Sequence, residues 1–573
     1  MYLCAEKMEN MKKCIVIVGI TSTGFNYVDD VKARGYQPVV LESEYVFPGT
    51  DEDRAPFLAT RELTMKRLPK DIPMIEDSPD YNVLLERVRA YDPILVIPGQ
   101  EFSVELATHL ADDLGLPGNP WSMIGKMTRK NEMQQALAEH GVRSIRGRIV
   151  RSEADAEAFY RELDTTHIVI KRARGACTQG LHFCEGLDEA LEAVRTELAL
   201  SASADSVGDI LMQERIIGTE YIVNTVSRKG RHRFVSMWKY DKVPVNGSNV
   251  YNYMQVVTRL EVGHSSIINY AYDVLDAIGI QWGPVHGEYM VDEKGPVLIE
   301  INCRPMGGAM NRHYVDKLFG QHETDSILDA YLDPVKFEQD SRKPYRPLRM
   351  GIGKFFILPK DVNIESAPVL QLVRQLRSFY DASFERIGRE DLLNRTRDLE
   401  TAGGYVYLVH DDEQVVMDDC ALLHQVEMQY PQLLFNELQP VSEASLVARQ
   451  PLEQMLQDID CCGTTLVFSD SGESSDRAVV LNGSQLPDAY DAYEQGLLDI
   501  SRYESFGDIE SLVQQIFMFL SKLKFGAHVY IPASTYCHLP YGINGMEILL
   551  QVVGLRIEAP LAKQNRMMIA SKR

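Results

Sequence analysis

The chain has 573 residues, a formal net charge of −23, and 45% hydrophobic and 25% charged residues. That length exceeds what one hydrophobic core can hold and implies three or four domains, and the composition is that of a globular protein. So acidic a balance lacks the basic footprint of a nucleic-acid binder. The start, MYLCAEKMENMKK, has no apolar signal region, and the run Cys14 to Ile20 is too short to span a bilayer, so a cytoplasmic protein with no nucleic-acid or membrane partner is expected. Nine cysteines without a C-x-x-C spacing suit free thiols.

Residues 13–42 read as strand, glycine-containing turn, helix and strand. Glycines at a helix N-terminus cradle phosphate, but Gly19-Ile20-Thr21-Ser22-Thr23-Gly24 lacks a third glycine. One βαβ unit of an open α/β sheet is the plainer reading. The strand Pro93 to Ile97 ends at Pro98-Gly99-Gln100-Glu101, and a helix with Val104, Leu106, Ala107 and Leu110 follows. The next helix starts near Thr128, carries Met133 and Leu137 in register and stops at Gly141. Lys130 falls in its first turn, where a cation opposes the helix dipole.

A strand from His167 to Lys171 runs into Arg172-Ala173-Arg174-Gly175-Ala176-Cys177-Thr178-Gln179-Gly180. A glycine-bearing loop with hydroxyl and cationic groups can cover a phosphate, although basic turns are also common on surfaces. After the acidic helix Leu187 to Leu200, the segment Ile210 to Asn224 reads strand, bend, strand. The bend offers backbone groups to an adenine edge and Glu220 to ribose hydroxyls, or it is an ordinary hairpin with charged flanks. The aromatic insert from Met237 to Met254 faces substrate or is an exposed hairpin with a packed Trp238.

Residues 283–308, GPVHGEYMVDEKGPVLIEINCRPMGG, hold the densest chemistry. Strands Val285 to Val291 and Val297 to Asn302 flank the turn Asp292-Glu293-Lys294-Gly295, with Pro296 counted in the loop because it cannot donate to a ladder. A five-residue loop sets Glu288 opposite Glu300. Period-two alternation puts Glu300, Asn302 and Arg304 on one face. Two carboxylates and a carboxamide are an all-oxygen set of the kind that suits Mg²⁺. Glu300 interrupts an apolar run, and a buried carboxylate needs a metal or cation partner.

These pieces come in one order: Lys130 before a helix, Lys171 before a glycine loop, the Glu214 to Glu220 hinge, then Glu288, Glu300 and Asn302. In that order the chain resembles the ATP-grasp superfamily over roughly residues 11–435, most closely the carboxylate-amine ligases of the L-amino acid ligase type, and EINCRP is the most specific piece. The resemblance implies a multidomain α/β fold. It comprises an α/β domain at 1–125, an ATP-grasp domain of two α+β subdomains at 126–335, and a cap at 336–440. It also implies ATP and Mg²⁺ as cofactors, with two ions expected and Mn²⁺ as a substitute. Glu288, Glu300 and Asn302 would hold the metal. Lys130, Lys171, Arg174, Gly175, Thr178, Gln179, Gly180, Glu214, Ile217 and Glu220 would hold the nucleotide, with Ile217 giving backbone to adenine. Lys171 and Arg304 would be catalytic, and Arg304, Trp238, Tyr251 and Gly307 would meet substrate. Two departures stand out: Arg129 where the family usually has Asp, and the bulky Arg172 and Arg174 before Gly175.

The implied reaction transfers the γ-phosphoryl group of ATP to a carboxylate. An amine then attacks the acyl phosphate, and the product is an amide or dipeptide. Its partners are a small-molecule carboxylate and a small-molecule amine. Water must be kept out, and no nucleophilic Cys is needed, so Cys303 is expected to pack on the opposite face. Two alternatives stay open: a ligase for a non-amino-acid carboxylate in a biosynthetic pathway, and a non-catalytic nucleotide-binding protein.

Residues 441–573 resemble the downstream half of a class I methyltransferase, with Lys524-Phe525-Gly526 as a turn before a strand and no glycine-rich loop for S-adenosylmethionine. The expectation is a small, silent α/β appendage, dispensable for phosphoryl transfer, that contacts a methyltransferase-like partner or a second protomer. Its acidic segment Asp488 to Tyr503 reads equally as a solvated helix face.

Overall fold

A computed structural model describes residues 13–46, 51–173, 180–203, 209–245, 248–308, 310–363, 367–384, 386, 392–399, 401–435, 449–461, 465–482, 492–500, 509–536, 542–559 and 567–572. The chain divides into two compact units. One is Met1–Asp241 with Gln255–Arg349, and the other is Lys242–Met254 with Met350–Arg573. This grouping differs from the four segments expected.

In the first unit, β1 (Cys14–Val18), β2 (Gln37–Leu41), β3 (Met74–Ile75) and β4 (Pro93–Pro98) form a parallel sheet in the order β3-β2-β1-β4. The run CIVIV is buried on both faces, Ile15 and Ile17 in one apolar cluster and Cys14, Val16 and Val18 in another, as a central parallel strand requires. The glycines that hinted at a dinucleotide loop serve packing. A Cβ on Gly24 would lie 2.4 Å from the Gly99 carbonyl oxygen, so the turns after β1 and β4 meet backbone to backbone.

An antiparallel sheet follows, ordered β5-β8-β6-β7 from β5 (Gly147–Val150), β6 (His167–Arg172), β7 (His182–Glu185) and β8 (Ile210–Glu214). Helices Glu153–Tyr160 and Leu187–Ser203 cover it through Ala156, Phe159, Ala190 and Val194. Next in the chain are β9 (Thr219–Arg228), β10 (Arg231–Val245), β11 (Ser248–Val256), β12 (Trp282–Asp292) and β13 (Gly295–Asn302). β13, β12, β9 and β10 are neighbours in that order. Helices Lys130–Glu139 and Val262–Ile278 share an apolar cluster with Val285, Tyr289, Leu298 and Ile301 of these strands.

The β12–β13 connection is tighter than the sequence suggests. Asp292 pairs with Gly295, leaving two residues in the loop, and Pro296 lies in the strand opposite Val291. It is tolerated there because β13 is the outer neighbour of β12 in this sheet. A tight turn in unbroken register would set Glu288 against Ile299. A bulge between Tyr289↔Leu298 and Glu288↔Glu300 takes up Ile299 and restores the two-carboxylate pair. It also resets the alternation, so Leu298 faces the core while Glu300, two residues on, does not.

In the second unit, β11 joins β14 (Met350–Phe355), β16 (Phe379–Ser383) and β18 (Tyr405–His410) in the order β11-β14-β18-β16, while β15 (Val362–Asn363) pairs with β17 (Leu392–Leu393). The remaining strands are β19 (Thr465–Ser469), β20 (Val479–Asn482), β21 (Tyr493–Asp499), β22 (Leu523–Pro532), β23 (Leu555–Ala559) and β24 (Met567–Lys572). They form a six-stranded sheet, β20-β19-β21-β22-β24-β23. The pairings among β20, β19, β21 and β22 are parallel, and β24 runs antiparallel between β22 and β23.

Two expectations are corrected here. Tyr493–Asp499 is a strand rather than a solvated helix face, because its run Gly496-Leu497-Leu498 is buried between two parallel neighbours. Lys524-Phe525-Gly526 lies within β22 rather than in a turn before it. Nor does the tail stand apart. Val369, Leu372, Leu423 and Val426 share one apolar cluster with Leu512, Val513, Ile516, Met546 and Leu549. Helix Val369–Leu372 packs on helix Ile509–Ser521, and helix Glu413–Gln429 packs on helix Gly542–Val552. The Ile509–Ser521 helix buries Leu512, Val513, Ile516, Phe517, Phe519 and Leu520 in that cluster. A chain ended at residue 440 is expected to aggregate rather than survive as a working ligase. Recovery of soluble, monodisperse protein with full ADP release would overturn this.

Candidate active site

The site is assembled in the first unit from three stretches far apart in sequence: the β12–β13 hairpin with its following turn, the helix that starts at Lys130, and β6. β12 brings Glu288, β13 brings Glu300 and Asn302, and the turn after β13 brings Arg304. The helix that starts at Lys130 delivers that side chain to Glu300, Nζ to Oε2, at 2.6 Å. Its backbone N–H donates to the Ala173 carbonyl at 3.1 Å, which fixes the helix start against the end of β6. Lys171, on β6, is buried.

The electrostatics are those of a charge cluster held out of water. Burial works against the Lys130 charge, yet Glu300 and Glu101 outweigh it and raise its pKa. Lys171 moves the other way: burial, then repulsion from Lys130, lowers it to about 8. Burial would raise the Glu300 carboxyl, but Lys130 and Lys171 together hold it well below the usual carboxylate range. Asn302 turns its amide nitrogen to Glu300 Oε1 at 3.4 Å. Arg304 is buried and donates to Glu101 Oε2 at 2.8 Å and to the Pro305 carbonyl at 3.0 Å. Tyr240 lies close enough to Glu288, Glu220 and Arg304 to feel their charges, and burial drives its pKa far up.

Behind the carboxylates runs a chain of buried polar groups. His286 faces Glu288 Oε1 through Nε2 at 3.4 Å and Asn224 Oδ1 through Nδ1 at 2.9 Å. The Asn224 amide nitrogen donates to Ser236 Oγ at 3.0 Å and reaches Met306 Sδ at 3.5 Å. Glu288 is thus braced from the sheet side. His286 was detectable, being two residues before Glu288 on the same strand face. Glu101 was detectable as the carboxylate just past the carboxyl end of β4, where open α/β sheets bind ligands. Asn224 offers only a polar residue inside a buried strand.

The other expected residues are distributed as follows. Arg174, Gly175, Thr178 and Gln179 lie outside the described residues. Gly180 has φ +65°, and a Cβ there would meet Glu197 Oε2 at 2.9 Å, beside the Arg172–Glu197 and His182–Glu197 pairs. Glu214 is engaged by Arg146, accepting from its backbone N–H at 2.9 Å and from Nε at 3.2 Å. Ile217 is 60% exposed in the bend between β8 and β9, and Glu220 sits on β9 opposite Met290. Trp238 is fully buried, edge-on to Phe319. Gly307 lies beside the Arg304 guanidinium. Tyr251 belongs to the second unit, where Lys242 lies over its ring and Phe355 meets it edge-on. Cys303 packs in the apolar cluster under the strands.

The bend itself is held by close packing. A Cβ on Gly218 would stand 2.2 Å from the Val291 carbonyl oxygen on β12. Gly218→Val is expected to push the bend off the sheet, cost about 1–3 kcal/mol of stability and weaken nucleotide binding roughly tenfold. Urea melts and ADP titrations check both; unchanged affinity would remove the bend from the nucleotide site.

The donor set meets the requirements of magnesium. Mg²⁺ takes one or two carboxylates from the protein and leaves its other positions to phosphates and water, and here two carboxylates face each other across one strand pair with an amide beside them. Among the described residues, no cluster of three or more His, Cys, Asp or Glu offers a richer site.

Comparison with known proteins agrees with this geometry. Residues 165–312 match the ATP-grasp domain family. The chain has the ATP-grasp fold. That stretch holds Lys171, the bend, Glu288, Glu300, Asn302 and Arg304, while Lys130 and Glu101 precede it. Dapdiamide A synthase of Enterobacter agglomerans is 26% identical over 428 residues, covering 74% of this chain and 97% of that protein. The carbamoyl phosphate synthase large chain of Thermotoga petrophila is 23% identical over 321 residues, 52% of this chain and 27% of that one. Among solved structures, the L-amino acid ligase of Bacillus licheniformis superposes with a TM-score of 0.55 at 17% identity, over 73% of this chain and 98% of its own. The biotin carboxylase domain of a Hydrogenobacter thermophilus 2-oxoglutarate carboxylase, with MgADP, ADP and bicarbonate, gives 0.52 at 14% identity, over 74% and 97%. Both share the ATP-grasp fold. No helix among the described residues is long and apolar enough to cross a membrane.

Proposed function

We propose that this protein joins two amino acids, or an amino acid and a related amine, by an amide bond made through an acyl phosphate. It is an ATP-dependent ligase of the carbon–nitrogen type; the substrates, the residue roles and the two magnesium ions are the proposal. The observation that carries it is the arrangement of Lys130 and Lys171 around Glu300, with Glu288 and Asn302 beside it and the buried Arg304 on the same stretch of chain. The L-amino acid ligase, named for joining amino acids, supports the choice of substrates, and dapdiamide A synthase, named for an amide product, supports the kind of bond.

Each residue has a definite task. Glu288, Glu300 and Asn302 would hold magnesium, which when bound neutralises the phosphate oxygens. Lys171, buried beside a second cation, has its charge unshielded by water and directs it at a transferring phosphoryl group. Lys130, paired to Glu300, supplies positive charge next to the same carboxylate. Ile217 and its neighbours in the bend offer backbone to adenine, and Glu220 offers a carboxylate to ribose. The Arg304 guanidinium, fixed by Glu101, presents its free edge to the acid, holding it in line and then balancing the oxyanion formed as the amine attacks.

The test is ADP release from Mg²⁺-ATP across amino acids and other small acids, added singly and in pairs. A signal that needs two components supports the reading and names both. ATP binding with no turnover for any pair would overturn it.

A further inference from the structure

Side chains alternate along β10. Met237 enters the apolar cluster under the sheet, while Ser236 turns to the opposite face and accepts from the Asn224 amide. Trp238 and Tyr240 follow Ser236 on that face. The register with β9 runs unbroken from Ser236↔Asn224 through Trp238↔Ile222 to Lys239↔Tyr221, which sets Tyr240 beside Glu220. β9 pairs Ile222 with Glu288 of β12, and β12 pairs Glu288 with Glu300 of β13. One face of four adjacent strands therefore carries Tyr240, Glu220, Glu288 and Glu300. The Tyr240 phenol feels the charges of Glu288, Glu220, Arg304 and Glu300. Glu288, two strands away, acts on it more strongly than Glu220, one strand away, so the ring leans across β9 toward the hairpin. This face is open to solvent: the Glu288 and Glu300 side chains each keep 17% of their surface and Tyr240 is half-buried, whereas Trp238 is sealed.

A hydroxyl placed there lies between the carboxylates assigned to magnesium and the arginine assigned to the acid. Resting on the ligase reading above, we propose that Tyr240 is a catalytic residue whose O–H donates to an oxygen of the γ-phosphoryl group as it passes from ATP to the acid. In that step the bond from phosphorus to the ADP oxygen breaks, its electron pair leaves with ADP, and an oxygen of the acid's carboxylate bonds phosphorus. No proton changes hands, so the donor must keep its own. Burial, then Glu288 and Glu220, push the phenol far above its ordinary range, and Tyr240 stays neutral. The transferring group spreads its charge over three equatorial oxygens. Lys130 and Lys171, grouped around Glu300, meet that charge with charge, and Tyr240 adds a directed bond from the β10 side.

The test uses the full-length protein and Tyr240→Phe, which keeps the ring and removes the hydroxyl. With hydroxylamine in place of the amine, hydroxamate formation reads acid activation alone. Its kcat is expected to fall roughly 100-fold, the loss typical of one preorganised donor, while KM for ATP and for the acid stays within about twofold. A hydroxamate rate like that of wild type overturns the proposal. So does a loss confined to Tyr240→Leu with Tyr240→Phe fully active, which would make the ring structural. If wild type forms no hydroxamate from any acid of the panel, the ligase reading itself fails, and fluoroaluminate then decides the phosphoryl contact independently. This planar mimic of the group in flight is captured with Mg-ADP and followed by fluorine NMR. Capture by wild type that Tyr240→Phe weakens about tenfold or more upholds the contact. Equal capture by both proteins, or none by wild type, overturns it.

Discussion

Glu300→Gln is expected to abolish ADP release, by roughly 100-fold or more, while the chain still folds. The change keeps shape and removes one charge. That charge holds Lys130 at 2.6 Å and balances Lys171. On the proposed reading it is also one of two carboxylates that would hold magnesium, and losing one preorganised electrostatic group of that kind costs on the order of 10²–10³ in rate. The variant leaves two buried lysines with less counter-charge, so a modest fall in melting temperature accompanies the loss. Near-normal turnover would remove Glu300 from the metal site. A protein that no longer melts cooperatively would make the pair structural instead.

Arg304→Lys should be almost as severe, for a geometric reason. Arg304 spends part of its fork on Glu101 at 2.8 Å and on the Pro305 carbonyl, and the remaining N–H groups lie in a plane set by those bonds. A lysine keeps the charge but not the plane, and it leaves Glu101 without a bidentate-capable partner. Truncating one side of a buried, hydrogen-bonded ion pair costs about 2–5 kcal/mol, much of it from the stranded partner. The expected result is a loss of about 100-fold in kcat/KM for the acid, with little change in the affinity for ADP. Kinetics like those of wild type would reassign Arg304 to packing.

The core of this site was readable because strand chemistry is local. EINCRP, with Glu288 twelve residues upstream of Glu300, carries the carboxylate pair in a single hairpin, and the pairing Glu288↔Glu300 is the one expected. The route to it was not readable. The loop is shorter than expected, and a bulge at Ile299 makes up the difference; no side chain near it announces a bulge. Contacts across the chain were hidden altogether. Arg304 and Glu101 are separated by 203 residues, and Asn224 and His286 by 62. In the tail, the acidic residues around Tyr493–Asp499 masked a short buried run, Gly496 to Asp499, which is all that a central parallel strand needs.

The single apolar cluster shared by residues 350–435 and the tail sheet has a bearing on how the chain is made. Val369, Leu372 and Leu423 leave the ribosome long before Leu512, Ile516 or Leu549, and β24, among the last residues described, lies inside its sheet rather than at an edge. At ordinary synthesis rates the earlier half waits on the order of ten seconds for its partners, with apolar surface exposed throughout. Slow translation, or a shortage of chaperones that shield nascent chains, would lower the yield of this enzyme through its second unit, while the candidate site residues of the first are already synthesised.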